Sequence, residues 1–223
     1  MRLRAYLIIF APICLVLVTL FSSLFNNMYK MSFYQEEYEK HNTYERFGEE
    51  KTIAVTNNLF KFFRNKEKLD NEFFSANEIA HLEDVKNLIF KGKYIYCTAI
   101  LFLIITVIIL YHLDEQEFLF ISSKIAMTTG IALCFILFLF FVLHLLFGFD
   151  TIFLLFHKIF FAGNYAFDPK ISNLKYMFPD EFFLNISLRI LYSIMLKASL
   201  LILLSVFLCK SFKNIKFKKK KKK

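Results

Sequence analysis

Two histidines stand out by type and setting. His81 lies in the stretch Glu78-Ile79-Ala80-His81-Leu82-Glu83-Asp84, and His157 lies inside the apolar run Ile152-Phe153-Leu154-Leu155-Phe156-His157-Lys158-Ile159-Phe160-Phe161. Imidazole titrates near neutral pH, so it can take a proton from one atom and return it to another within a single reaction. Asp84 follows His81 by one helical turn, on a shared face, where a carboxylate can orient the ring. On spacing alone the same residues also read as a solvated helix face with an ordinary histidine, and His157 as a structural side chain. A polar stripe, Asn185, Arg189, Ser193 and Lys197, winds down one side of the last apolar block. Lys197 is about 20 Å of helix from Lys210, beyond the reach of a snorkelling side chain. A lysine at mid-bilayer costs roughly 2.5–3.5 kcal/mol and faces a bundle interior or a wet cavity. Two readings follow for Lys197, a buried structural pairing and a functional cavity. Arg189 is close enough to the outer surface to snorkel.

These residues need elements to hold them, and hydropathy supplies those elements. Of the 223 residues, 57% are hydrophobic, against about 45–50% in soluble domains. The apolar residues lie in long uncharged blocks. That excludes a soluble enzyme, a disordered chain and a disulfide scaffold. Ala5 to Phe25, Tyr94 to Leu113, Ile125 to Gly148 and Phe183 to Cys209 are each long enough to cross ~30 Å of hydrocarbon. The first block is too long for a signal peptide and lacks a small-x-small cleavage site, so it reads as a retained anchor. Ile13 is too bulky for lipoprotein cleavage before Cys14.

The net charge of +9 comes from the lysine-rich tail that starts at Lys210; without it the chain is neutral. A neutral body excludes nucleic acid as a partner. Arg2 and Arg4 before the first span and the tail after the last place both termini in the cytoplasm. The expected fold is an all-α integral membrane protein: four transmembrane helices, a mostly helical outer segment and a short interfacial or re-entrant segment. Residues 1–25 then form the cytoplasmic N-terminus and first span, 26–93 an extracytoplasmic segment, 94–113 the second span and 114–124 a cytoplasmic loop. Residues 125–148 form the third span, 149–182 the extracytoplasmic interfacial segment, 183–209 the fourth span and 210–223 the cytoplasmic lysine-rich tail. That tail reads either as an attachment to an anionic leaflet, at ~1 kcal/mol per Lys, or as a solvated end.

Local signals refine the outer segments. Ser75-Ala76-Asn77-Glu78 fits a capping box that starts a helix running towards the second span. Gly163-Asn164 and Asp168-Pro169 mark turns. Pro179-Asp180-Glu181 suits a helix start. The run around His157 is too short to span and too apolar for water, which places it at the interface. Cys14, Cys97, Cys134 and Cys209 fall in separate apolar blocks and read as small buried hydrophobes. His112 and His144 lack spaced partners, and His41 stands in a charged, solvated stretch. HExxH, P-loop, GxSxG and GxGxxG motifs are absent.

The string Glu78-Ile79-Ala80-His81-Leu82-Glu83-Asp84-Val85-Lys86 resembles the E-x-x-H-L-x-D-V-K segment of the bacterial lipoprotein intramolecular transacylases. Phe156-His157-Lys158-Ile159-Phe160-Phe161 with Gly163-Asn164-Tyr165-Ala166-Phe167-Asp168-Pro169 resembles their second hallmark. Phe178-Pro179-Asp180-Glu181-Phe182-Phe183 is similar to the start of their last span. Tyr165 departs from the tryptophan expected there. The resemblance implies an acyltransferase of the bacterial cell membrane. It would move the sn-2 acyl chain of a diacylglyceryl lipoprotein onto the α-amine of the lipoprotein's N-terminal cysteine. It implies catalytic roles for His81 and His157, supported by Asp84, with Lys197, Arg189, Asn164 or backbone amides as oxyanion donors. It implies no cofactor, since donor and acceptor share one molecule. The partners would be the lipoprotein and the phospholipid membrane. The other reading is a non-catalytic polytopic subunit or sensor whose outer segments bind a partner; the two differ in whether His81 and His157 share a pocket.

Overall fold

The computed structural model describes residues 2–161, 163 and 165–221, the side chains of Arg2 and of 218–221 excepted. Among them there are helices and no strands, in the order α1 (Arg2–Met28), α2 (Met31–Lys40), α3 (Thr43–Phe47), α4 (Glu49–Phe63), α5 (Ala76–Leu113), α6 (Phe118–Phe160), α7 (Asn173–Met177) and α8 (Asp180–Lys221). Four of these, α1, α5, α6 and α8, are long and apolar enough to cross a membrane. Each carries one of the four hydropathy blocks. The chain divides into two compact units.

The first unit comprises Met1–Leu24, Lys93–Val142 and Ile190–Lys223. Its interior is thin. One cluster joins Ala11, Leu110, Ile121 and Ile125, and another joins Leu133, Ile194 and Ala198. Large apolar side chains such as Phe102, Ile108, Phe135, Phe138, Leu203 and Phe207 point outward. A bundle that is apolar outside as well as inside suits lipid and not water. Small residues let its helices approach: a Cβ on Gly130 would stand 2.5 Å from Ile202 Cγ1 and 3.2 Å from the Ala198 carbonyl oxygen. Pro12 sits inside α1, where it removes one backbone donor. Arg4 closes one end through Asp114 at 2.7 Å and Glu117 at 2.8 Å.

The second unit comprises Phe25–Gly92 and Leu143–Arg189. It has an aromatic core that includes Phe33, Tyr34, Tyr38, Phe60, Phe74, Phe178 and Phe182. Positive-φ residues separate the short helices, Asn42 (φ 56°) between α2 and α3 and Gly48 (φ 80°) between α3 and α4, a conformation that β-branched residues avoid. Two buried phenols of this core have hydrogen-bond partners. Tyr38 Oη lies 2.7 Å from Thr56 Oγ1, and Tyr34 donates to the Met28 carbonyl at 2.7 Å. Burial pushes both phenols above their usual range, so both stay neutral. Glu37, 7% exposed, accepts from Asn185 Nδ2 at 2.8 Å and from His41 Nε2 at 3.3 Å. His41 is therefore paired, although its charged neighbourhood suggests a solvated ring.

Gly148 interrupts α6 with φ 73° and ψ 163°, so residues 149–160 form a separate helical limb. The apolar run around His157 is thus helical, and the break falls at the residue where the hydropathy of the third span ends. The turn at Asp168 is present. Its Oδ1 accepts from the Lys170 amide at 2.9 Å and its carbonyl from the Ser172 amide at 2.9 Å. α8 begins at Asp180, one position after Pro179, with Asp180 and Glu181 in its first turn.

Candidate active site

The site is built from α5 outward, and all of it lies in the second unit. The capping box forms as the spacing requires. The Ser75 amide donates to Glu78 Oε2 at 2.7 Å, and the Glu78 amide donates to Ser75 Oγ at 3.4 Å. The inward face of α5 then runs through Glu78, Leu82, Val85 and Ile89, with His81 at its margin and 7% exposed.

His157 comes from the 149–160 limb. Its Nδ1 lies 2.8 Å from the carbonyl oxygen of Phe153, one turn earlier. A carbonyl can only accept, so Nδ1 carries the proton and Nε2 of the neutral ring keeps the basic lone pair. The rings of His81 and His157 are nearly parallel, 18° apart in plane, with centroids 6.0 Å apart.

Aromatic side chains wall the pair. Phe161 touches both rings, at 4.9 Å from His81 and 5.4 Å from His157. Phe167 stands 5.5 Å from His81, and Tyr165 stands 5.3 Å from His157. Phe153 adds an edge contact to His157 at 4.3 Å. Tyr165 thus supplies a ring where tryptophan was expected. No group of three or more His, Cys, Asp or Glu among the described residues is arranged to hold a metal ion.

The other residues singled out from the sequence lie elsewhere. Asp84 is exposed, and among the described residues no hydrogen bond or ion pair joins it to His81. The buried stripe of α5 lies on the Glu78 side of His81, and Asp84 lies on the other, towards solvent. Arg189 pairs with Glu36 at 3.8 Å and packs over the Phe33 ring. Lys197 belongs to the first unit, where its Nζ donates to Ser22 Oγ at 2.8 Å and Ser23 Oγ at 2.9 Å. Asn164 lies outside the described residues.

Sequence reasoning missed the second role of Glu78. Its other oxygen, Oε1, accepts from Ser172 Oγ at 2.5 Å and from the Leu174 amide at 2.8 Å. Ser172 itself caps α7 by accepting from the Lys175 amide at 3.0 Å. The only sequence signal was a serine ahead of a short helical stretch.

A family model described as lipoprotein intramolecular transacylase Lit matches residues 9–183. The chain belongs to this family. As a member of the transacylase family it is an acyltransferase integral to the membrane, which displaces the reading of a non-catalytic subunit or sensor. The solved structure of Lit from Bacillus cereus has the same fold: TM-score 0.77 at 22% identity, over 94% of this chain and 97% of that one. Two single-histidine variants of Bacillus cereus Lit, His-to-Arg and His-to-Ala, match with TM-scores of 0.75 and 0.76, again at 22% identity and over 94% of this chain. They are covered over 93% and 95% of their own lengths. No curated protein matches the chain in sequence.

Proposed function

We propose that this transacylase moves the sn-2 acyl chain of a diacylglyceryl lipoprotein onto the α-amine of its N-terminal cysteine, with His81 and His157 sharing the proton transfers. One observation carries the reading: the two imidazoles stand nearly parallel, 6.0 Å apart, inside one aromatic wall. A hydrogen bond spans about 2.6–3.2 Å, so groups on one reacting centre are within reach of both rings.

The chemistry proceeds in balanced steps. An imidazole takes a proton from the substrate ammonium, since only the free amine is nucleophilic. The amine attacks the ester carbonyl to give a tetrahedral oxyanion, and its nitrogen passes a second proton to the other imidazole. Of the two protons taken from nitrogen, one is returned to the leaving oxygen and the other leaves to solvent. Collapse forms the amide, breaks the ester and expels the glyceryl alkoxide, which receives a proton from an imidazolium. Nothing is oxidised, and no water or cofactor enters. Donor and acceptor arrive on one molecule, which removes the entropic cost of a second binding event. Nε2 of His157, with its lone pair held by the Nδ1 hydrogen bond, suits the role of base.

The same reading puts the reaction at the outer face of the bacterial cell membrane, with both termini in the cytoplasm. Arg4 and the lysine-rich tail support that orientation, because positive flanks are retained inside. It assigns the spans to residues 5–25, 94–113, 125–148 and 183–209. The break at Gly148 and the apolar limb after it fit a chain that leaves the hydrocarbon and lies along the interface.

The test is mass spectrometry of lipoprotein N-termini from cells with and without the protein. The expected product is an N-acylated cysteine bearing a lyso-glyceryl group, formed only when the protein is present. Lipoproteins of unchanged diacylglyceryl form in its presence would refute the reading.

A further inference from the structure

We propose that Glu78 is a positioning residue for acyl transfer: it locks His81 to the segment that walls the histidine pair. The inference rests on the reading of His81 and His157 as the acid–base pair. Glu78 precedes His81 by one helical turn and is 2% exposed. Its carboxylate divides its work. Oε2 accepts the Ser75 amide, which is all that capping α5 requires. Oε1 is given wholly to distant donors, the Ser172 hydroxyl at 2.5 Å and the Leu174 amide at 2.8 Å.

Those donors end the segment that begins after His157. Phe161, Tyr165 and Phe167 lie along it and touch the two imidazoles, and the Asp168 turn leads directly into Ser172. The segment is therefore held by the His157 limb at one end and by Glu78 at the other. Among the described residues no ion pair includes Glu78. A buried carboxylate without a cation is tolerable only while fixed dipoles fill its lone pairs. The clasp is accordingly formed with all three donors in place or strongly disfavoured, which makes it a register device and not a loose tether. The bland alternative is a contact that holds the fold together without setting the site. Glu37 is the internal comparison, a second buried carboxylate of the same unit whose partners are His41 and Asn185.

The experiment measures kcat and KM of the full-length protein in detergent micelles on a synthetic diacylglyceryl lipopeptide, with melting temperature recorded for each variant. Misplacing a catalytic group by about 1 Å costs on the order of a hundredfold. Glu78→Gln should lower kcat by roughly tenfold to a hundredfold with KM within about twofold of the parent. Ser172→Ala should show the same split more weakly, and it decides the matter if Glu78→Gln does not accumulate as folded protein. Glu37→Gln should lower the melting temperature while kcat stays within about twofold. A parental kcat in the deciding variant, a change confined to KM, or an equal loss of kcat in Glu37→Gln overturns the proposal. His81→Ala, run alongside, separates the two readings. If it retains parental kcat the acid–base assignment fails, and if it is inactive while the deciding variant is not, only the role of Glu78 fails.

Discussion

His157 Nδ1 lies 2.8 Å from the carbonyl oxygen of Phe153, within the helical limb that follows Gly148. The hydrogen bond selects a tautomer. Nitrogen-15 NMR of histidine-labelled protein, above the pH at which His157 protonates, should show that ring in the Nδ1–H form. An Nε2–H ring would mean that the carbonyl does not hold it and that the basic nitrogen is misassigned.

Loss of either imidazole should be severe. Removing a positioned acid–base group costs about 10²–10⁴-fold in rate. His81→Ala and His157→Ala should each reduce N-acyl lyso-lipoprotein by that order on a co-expressed lipoprotein, at matched protein levels. Groups that act as a unit are not additive, so the double variant should be scarcely worse than either single one.

Asp84 is exposed on the solvent side of α5, so its charge should be dispensable. Asp84→Asn should retain turnover within about threefold of the parent and unfold within about 0.5 kcal/mol of it, as surface substitutions do. A loss comparable to His81→Ala would restore Asp84 as the partner that orients the ring.

Lys197 is held by Ser22 and Ser23, and both hydroxyls also donate to the Thr19 carbonyl, at 3.1 and 2.8 Å. Lys197→Met therefore leaves neither serine orphaned and removes a charge from an apolar setting. Replacing a buried charge by an apolar group of similar volume is often neutral or stabilising, by about 1–4 kcal/mol in measured ion-pair replacements. The variant should melt at the parental temperature or above and keep its turnover. Inactive, folded Lys197→Met would show that the amine serves the reaction.

Orientation can be read in intact cells. In a background lacking the four native cysteines, cysteines at the exposed positions Glu50 and Lys170 should react with an impermeant thiol reagent. A cysteine at Glu115, also exposed, should react only after the membrane is opened. The reverse pattern would put the histidine pair on the cytoplasmic side.

Features set by neighbouring residues were legible in the sequence. Each span is a continuous apolar run, and the bilayer demands such a run whatever the rest of the chain does. The start of α5 was legible because Ser75 and Glu78 satisfy each other across a single turn. The two histidines were legible as types in suggestive settings. The exposure of Asp84 was not legible, because helical spacing says which residues are neighbours and not which side of the helix is buried. That side is chosen by what packs on it, here the aromatic cluster to which Leu82 and Ile89 belong.

Hydropathy, charge at the ends and one capping box thus determined the membrane helices, their expected orientation and where α5 begins, because each of these depends on contacts within a turn or on partition into lipid. The tertiary structure alone decided that His81 meets His157, that Lys197 is held by serines of α1, and that Glu78 reaches Ser172, 94 residues further along the chain. Such pairings depend on how the folded chain brings distant segments together, and no local pattern records it. A carboxylate that can cap its own helix carries no mark in the sequence showing that its second oxygen is committed elsewhere.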